Sequence, residues 1–194
     1  GGADTILRTF EALKMNRDIF LLTLSQAAMM TTISFVLSSS ALVATQLSSP
    51  DLATVPLAVQ YLGTMVMLYP IAKLMERFGR SIIFCSGALL GAVGLAGAAF
   101  GIWIGNFALF SVAGFLIGAF GAVGQYYRFA AADAAPLERK SQAISWTLAG
   151  GLLAAVAGPM LAQWTKDTLA PAFFASFLVL TGVALLSALL ALGL

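Results

Sequence analysis

The ten residues Ala72-Lys73-Leu74-Met75-Glu76-Arg77-Phe78-Gly79-Arg80-Ser81 hold three of the chain's ten basic residues and one of its eight acidic ones. Residue types of this kind, this close together, make ion pairs rather than bonds to a reacting group. A pair made in only one conformation biases the balance between two. A second chemistry is neutral. Thr23, Gln26, Met30, Ser34 and Ser38 recur at steps of three and four, as do Pro56, Gln60 and Thr64 with Tyr61 beside them. Gly114, Gly118, Gly121, Gln125 and Arg128 form a third such set, and Gln142, Trp146 and Gly150 a fourth. These side chains hydrogen-bond, stack or attract an anion. With no histidine and the single cysteine Cys85, the chain lacks the usual ligands of zinc and haem sites and has no intrachain disulfide. No catalytic constellation, metal site or cofactor site is expected.

The elements that position these residues follow from composition. The chain is 60% hydrophobic and 9% charged over 194 residues, whereas about a quarter of the residues of an ordinary soluble domain are charged. A helix crosses a bilayer with roughly 20 apolar residues, and six such runs fit: 19–44, 54–74, 82–102, 107–127, 143–164 and 171–194. Residues 1–18 mix charge with Ile6, Leu7, Phe10 and Leu13 at near-helical spacing and read as a short cytoplasmic surface helix. The start, Gly1-Gly2-Ala3-Asp4, has neither a Met nor a signal-peptide pattern and reads as an excised end. Positive residues concentrate in cytoplasmic loops. An inside N-terminus puts nine of the ten basic residues on the inner side and only Lys166 outside. Both termini are therefore expected in the cytoplasm, in a multi-pass protein of the cell (inner or plasma) membrane; nothing supports nucleic-acid binding.

Without water, polar groups that line up on one face of a span point at another helix or at an aqueous cavity. The stripe on the first span is compatible with either. Arg128 either snorkels to the inner headgroups or faces a cavity open to the cytoplasm and meets an anionic group. No Asp, Glu, Lys or His lies in the middle of a span, which leaves a proton relay without its usual carrier. The third span carries Gly87, Gly91, Gly94 and Gly97, a pattern for close helix approach, and the third and sixth spans read as outer supports.

Six spans, an inside N-terminus and a charged junction between spans two and three resemble the major facilitator superfamily, whose signature there is G-x-L-a-D-R-x-G-R-[RK]. Leu74, Arg77, Gly79 and Arg80 match it; Ala72, Glu76 and Ser81 depart from it. The run Ala132-Asp133, Pro136-Leu137-Glu138-Arg139 to Ala143 is similar to the loop after the family's fourth span, and Gly158-Pro159 falls where its fifth-span antiporter motif has a Gly-Pro pair. Ala162 and Gln163 stand where that motif continues with glycines.

The resemblance implies an all-α membrane protein of six transmembrane helices, one half of the superfamily's twelve-span fold, built from two three-helix inverted repeats. It implies a secondary transporter that moves a small solute by rocking two halves about a midplane site, with a second six-helix half as partner, either the C-terminal half of the native chain or a second copy. The expected solute-facing residues are Gln26, Ser34, Gln60, Tyr61, Gln125, Arg128 and Trp146. Glu76, Arg77, Gly79, Arg80 and Asp133 form the expected conformational latch, with Arg77 pairing to Asp133 and Arg80 reaching the other half. The chain reads as the N-terminal half, cut before a central loop. The competing reading is a non-transporting six-helix scaffold or assembly module.

Overall fold

The computed structural model describes the backbone from Gly2 and the side chains of residues 16–194. Seven α-helices follow one another: α1 (Gly2–Leu47), α2 (Val55–Phe78), α3 (Arg80–Trp103), α4 (Phe107–Gly124), α5 (Tyr127–Ala134), α6 (Lys140–Thr165) and α7 (Phe174–Leu192). Single 3-10 turns at Pro50–Leu52 and Leu137–Arg139 complete the order. Six stretches are long and apolar enough to cross a membrane, with α4 and α5 together making the fourth.

The boundaries carry information. No break separates a surface helix from the first span: α1 runs through Asn16-Arg17-Asp18, none of which interrupts a helical backbone. The side chains expected on the face of residues 1–15 lie outside the described residues. The charged stretch is not a loop, because α2 continues through Arg77 to Phe78 and α3 begins at Arg80. Gly79 alone joins them, at φ 87° and ψ 161°, a backbone region that only glycine occupies without strain. The fourth span breaks at Gln125 and Tyr126, whose N–H groups reach back only three residues, to Ala122 and Val123. In α4 the first free backbone donors are met in part by Asn106, whose side chain accepts from the Leu109 N–H at 2.9 Å. The last helix, α7, starts at Phe174, after Phe173 turns the chain at φ 69°.

Packing follows a simple exchange. α1 lies chiefly against α6, α2 against α4, and α3 against α4 and α7. Swapping the first three spans for the last three turns the α1–α6 pair into the α2–α4 pair and maps the α3–α7 pair onto itself. Spans one and four run in opposite directions, so the two three-helix units form an inverted repeat. Edge-to-face rings lock the centre: Phe177 of α7 meets Phe35 of α1 at 5.3 Å and Phe110 of α4 at 5.6 Å, and Phe84 of α3 meets Tyr127 of α5 at 4.8 Å. Gly91 and Gly94 of α3 let α4 approach closely, against Phe120 and Leu116.

Candidate functional site

The polar residues singled out in the sequence fall mostly into two seams. In the seam between α2 and α4, Gly114 and Gly118 face Pro56 and Gln60, and a Cβ at Gly118 would collide with the Gln60 backbone carbonyl. Gln60 is 1% exposed as a result. Thr64 Oγ1 donates across the seam to the Gly118 carbonyl at 2.9 Å. Farther along, Tyr126 of the fourth-span break donates its hydroxyl to the Leu68 carbonyl at 2.8 Å, two residues before Pro70.

The seam between α1 and α6 is its counterpart. A Cβ on Gly158 would sit 2.6 Å from the Phe35 nitrogen and 2.7 Å from the Thr31 oxygen. Thr31 donates to the Ala154 carbonyl at 3.1 Å and Ser34 to the Ala155 carbonyl. Gly151 abuts Gln26, which is buried, and Gly150 abuts Thr23. The stripe on the first span is thus a helix-packing face along most of its length.

Past Gly150 the small residues of α6 give way to Trp146 and Gln142, and the two helices splay. They open a cleft of about 330 Å³ whose walls include Asn16, Phe20 and Thr23 on one side and Arg139, Gln142 and Trp146 on the other. A second cleft, of about 250 Å³, opens where α2 parts from α5, lined by Ala72, Met75, Glu76, Arg80, Tyr126 and Phe129.

Most of the described charged residues gather at the same end of the bundle, called here the basic end; Asp51, Lys166 and Asp167 lie at the other. Asp133, near the end of α5, pairs with Arg80 at the first turn of α3, and Lys140 Nζ lies 3.9 Å from its other oxygen. Arg77 is not the partner of Asp133. It sits in the last turn of α2 with its guanidinium over the Phe78 ring at 5.2 Å. The reason is Gly79: the backbone reverses there, so residues before and after it leave in different directions, and α3 carries Arg80 toward α5. Glu76 pairs with Lys73 one turn back, at 3.3 Å. An adjoining cleft of about 520 Å³ includes Arg80, Asp133, Asp18 and Leu194 in its lining.

Of the seven expected solute-facing residues, Gln26, Ser34 and Gln60 are engaged in the seams, while Tyr61, Gln125 and Trp146 are exposed. Arg128 is half-buried, over the Phe129 ring at 5.0 Å, with no partner for its Nε among the described residues. Exposed and seam residues are not one cluster: Tyr61 sits in the second turn of α2, at the end opposite the basic one, and Trp146 near the start of α6. Sequence reasoning missed three residues. Lys140 completes the Asp133 network, Tyr126 ties α5 to α2, and Phe20 faces the cleft one turn before Thr23. Only Phe20 left a signal, as a member of the Asn16, Phe20, Thr23 spacing.

A six-helix inverted repeat with a charged joint between its second and third spans defines a class of membrane protein. The family model of the Major Facilitator Superfamily matches residues 19–194, and the chain belongs to that superfamily. It is a multi-pass membrane protein. It is 41% identical over 170 residues to the riboflavin transporter RfnT of Brucella anthropi, covering 87% of this chain and 43% of that one. Two uncharacterized MFS-type transporters of Bacillus subtilis are also similar: YddS, 31% identical over 59% of this chain and 26% of its own length, and YdeG, 27% identical over 78% and 35%. The matches span less than half the length of each of these relatives. No solved structure matches the chain.

Proposed function

We propose that this chain is one six-helix half of a secondary transporter that carries riboflavin or a close flavin relative across the cell membrane by alternating access. The observation that carries the reading is the 41% identity to a riboflavin transporter along 87% of the chain. The fold supports it. α2 and α6 are the least buried spans of the unit, and each leaves a broad face for lipid on one side and a second six-helix half on the other. Tyr61, Gln125, Arg128 and Trp146 supply the solute-facing groups, while Gln26, Ser34 and Gln60 hold the wall together.

The basic end faces the cytoplasm in this reading, as the distribution of Lys and Arg favours. Arg80, Asp133 and Lys140 act there as the latch, with Gly79 as its joint. Both Arg80 and Asp133 are about half exposed, so their pair contributes about 1 kcal/mol or less to stability. That small energy suits a contact broken and remade in each cycle. The alternative is a scaffold that keeps the fold and moves nothing.

Uptake of riboflavin by cells that cannot synthesise it, expressing the full-length native protein, tests the proposal. Growth at low external riboflavin that is lost on Gly118→Val is the expected result. A correctly inserted protein that moves no flavin in either direction would favour the scaffold.

A further inference from the structure

We infer that the cleft between α1 and α6 at the basic end is a docking subsite for a flat, uncharged heteroaromatic ring whose edge carries carbonyl and imide groups. The inference rests on the transporter reading and names where one part of such a solute sits. The cleft is built, not incidental. Gly150 and Gly151 bring α1 and α6 together at its floor, and Trp146 and Gln142, about one and two turns farther along α6, line the opening above it.

Its walls have one chemistry. Phe20 from α1 and Trp146 from α6 are 61% and 63% exposed, both line the same cleft, and neither stacks on another aromatic ring among the described residues. An aromatic side chain from each of the two helices suits a planar ring, because stacking needs a face and no particular sequence of polar atoms. Asn16 and Gln142 each present a donor and an acceptor at the rim, which matches an edge where carbonyls alternate with an N–H. Arg139 adds donors only, and none of the described lining residues is acidic. A cationic solute gains nothing here. The volume of about 330 Å³ lies near the lower end of the roughly 300–1,000 Å³ of small-molecule pockets, so it takes the ring rather than a large conjugate. A phospholipid headgroup would use Arg139 but would leave the two rings and the two amides without a role.

The test is binding of riboflavin, and of lumichrome as the ring without its sugar-alcohol chain, to the full-length native protein in phosphatidylcholine nanodiscs, read by flavin fluorescence. Trp146→Ala is expected to weaken both ligands about tenfold, the usual effect of removing a stacking aromatic, with Trp146→Phe restoring most of it. Gln142→Ala should weaken both by about threefold, as for one lost hydrogen bond. Unchanged melting temperatures of the variants separate lost binding from lost fold. Wild-type binding that neither Trp146→Ala nor Gln142→Ala disturbs overturns the subsite while leaving the transporter reading intact. Displacement of riboflavin by phosphatidylglycerol that Arg139→Ala abolishes overturns it in favour of a lipid. A wild-type protein that binds neither flavin strikes the transporter reading itself, and the subsite with it.

Discussion

The two seams are symmetry mates, yet they end differently at the basic end. The α2–α4 seam closes: Tyr126 reaches Leu68 across it, and the cleft beyond is bordered by Arg80 in its pair with Asp133. The α1–α6 seam stays open, flanked by rings and amides with one cation. Glycine placement explains both. In each seam a helix surface without side chains meets a partner backbone, which fixes the crossing and leaves the residues one or two turns farther on to decide what happens as the helices diverge. On one side those residues make hydrogen bonds and ion pairs, and on the other they are bulky and mutually unpaired. An inverted repeat can therefore hold one wall with charge while the other offers a surface, using the same backbone geometry.

The largest effects that would test this contrast come from the glycines. Gly118→Ala drives a methyl into a backbone carbonyl that cannot step aside, and should destabilise the protein near the upper end of roughly 1–3 kcal/mol, read by thermal unfolding in detergent. Gly150→Ala meets a Thr23 methyl at 2.5 Å, which a rotamer change relieves, and should cost clearly less. Gly182→Ala has open space around it and should be neutral or stabilising by up to about 1 kcal/mol. Equal losses at Gly118 and Gly150 would mean that the Thr23 side chain yields no more readily than a backbone carbonyl. Next in size, Asp133→Asn and Arg80→Ala should each shift the ratio between access states by about fivefold or less, the equivalent of about 1 kcal/mol. The double variant should add little to either single one; cysteine accessibility from the two sides of the membrane reads that ratio.

Smaller still, Tyr126→Phe and Thr64→Val each remove one cross-helix hydrogen bond of the closed seam, and about 0.6 kcal/mol is expected for each. A loss several times larger at Tyr126 would show that the bond does more than bridge two helices. The smallest effect belongs to Arg77→Ala, within about 0.5 kcal/mol of the parent and with near-normal transport. Transport that falls as far as in Arg80→Ala would restore Arg77 to the latch.

The number of spans could be read from apolar run length, because lipid imposes that length directly. The pairing of spans could not, since it depends on which glycine meets which backbone. The ion pair shows where such reading stops. Both Arg77 and Arg80 suit Asp133 by charge and distance along the chain, and only the one-residue joint at Gly79 decides between them. The break at Gln125-Tyr126 left no signal either. No proline marks it, and residues 125–128 are as compatible with a continuing helix as with a turn. In the first span, steps of three and four located a polar face correctly but could not say that most of it meets α6. Ser34 and Gln26 look the same to periodicity whether they face a carbonyl or a solute.

The end of α7 has a consequence for the order of assembly. Arg17 donates to the Gly193 carbonyl at 2.8 Å and Ser81 to the Ala191 carbonyl at 2.6 Å, across separations of 176 and 110 residues. The Thr64–Gly118 bond of the α2–α4 seam spans only 54. As the ribosome delivers the chain, spans two to four can pair early, whereas α1 waits for α6, and its first turn in the described side chains waits longer still. The guanidinium of Arg17 can bond to Gly193 only once α7 is in place. Until α7 is delivered, Arg17 lacks that contact and the basic end of the first span is held by fewer bonds.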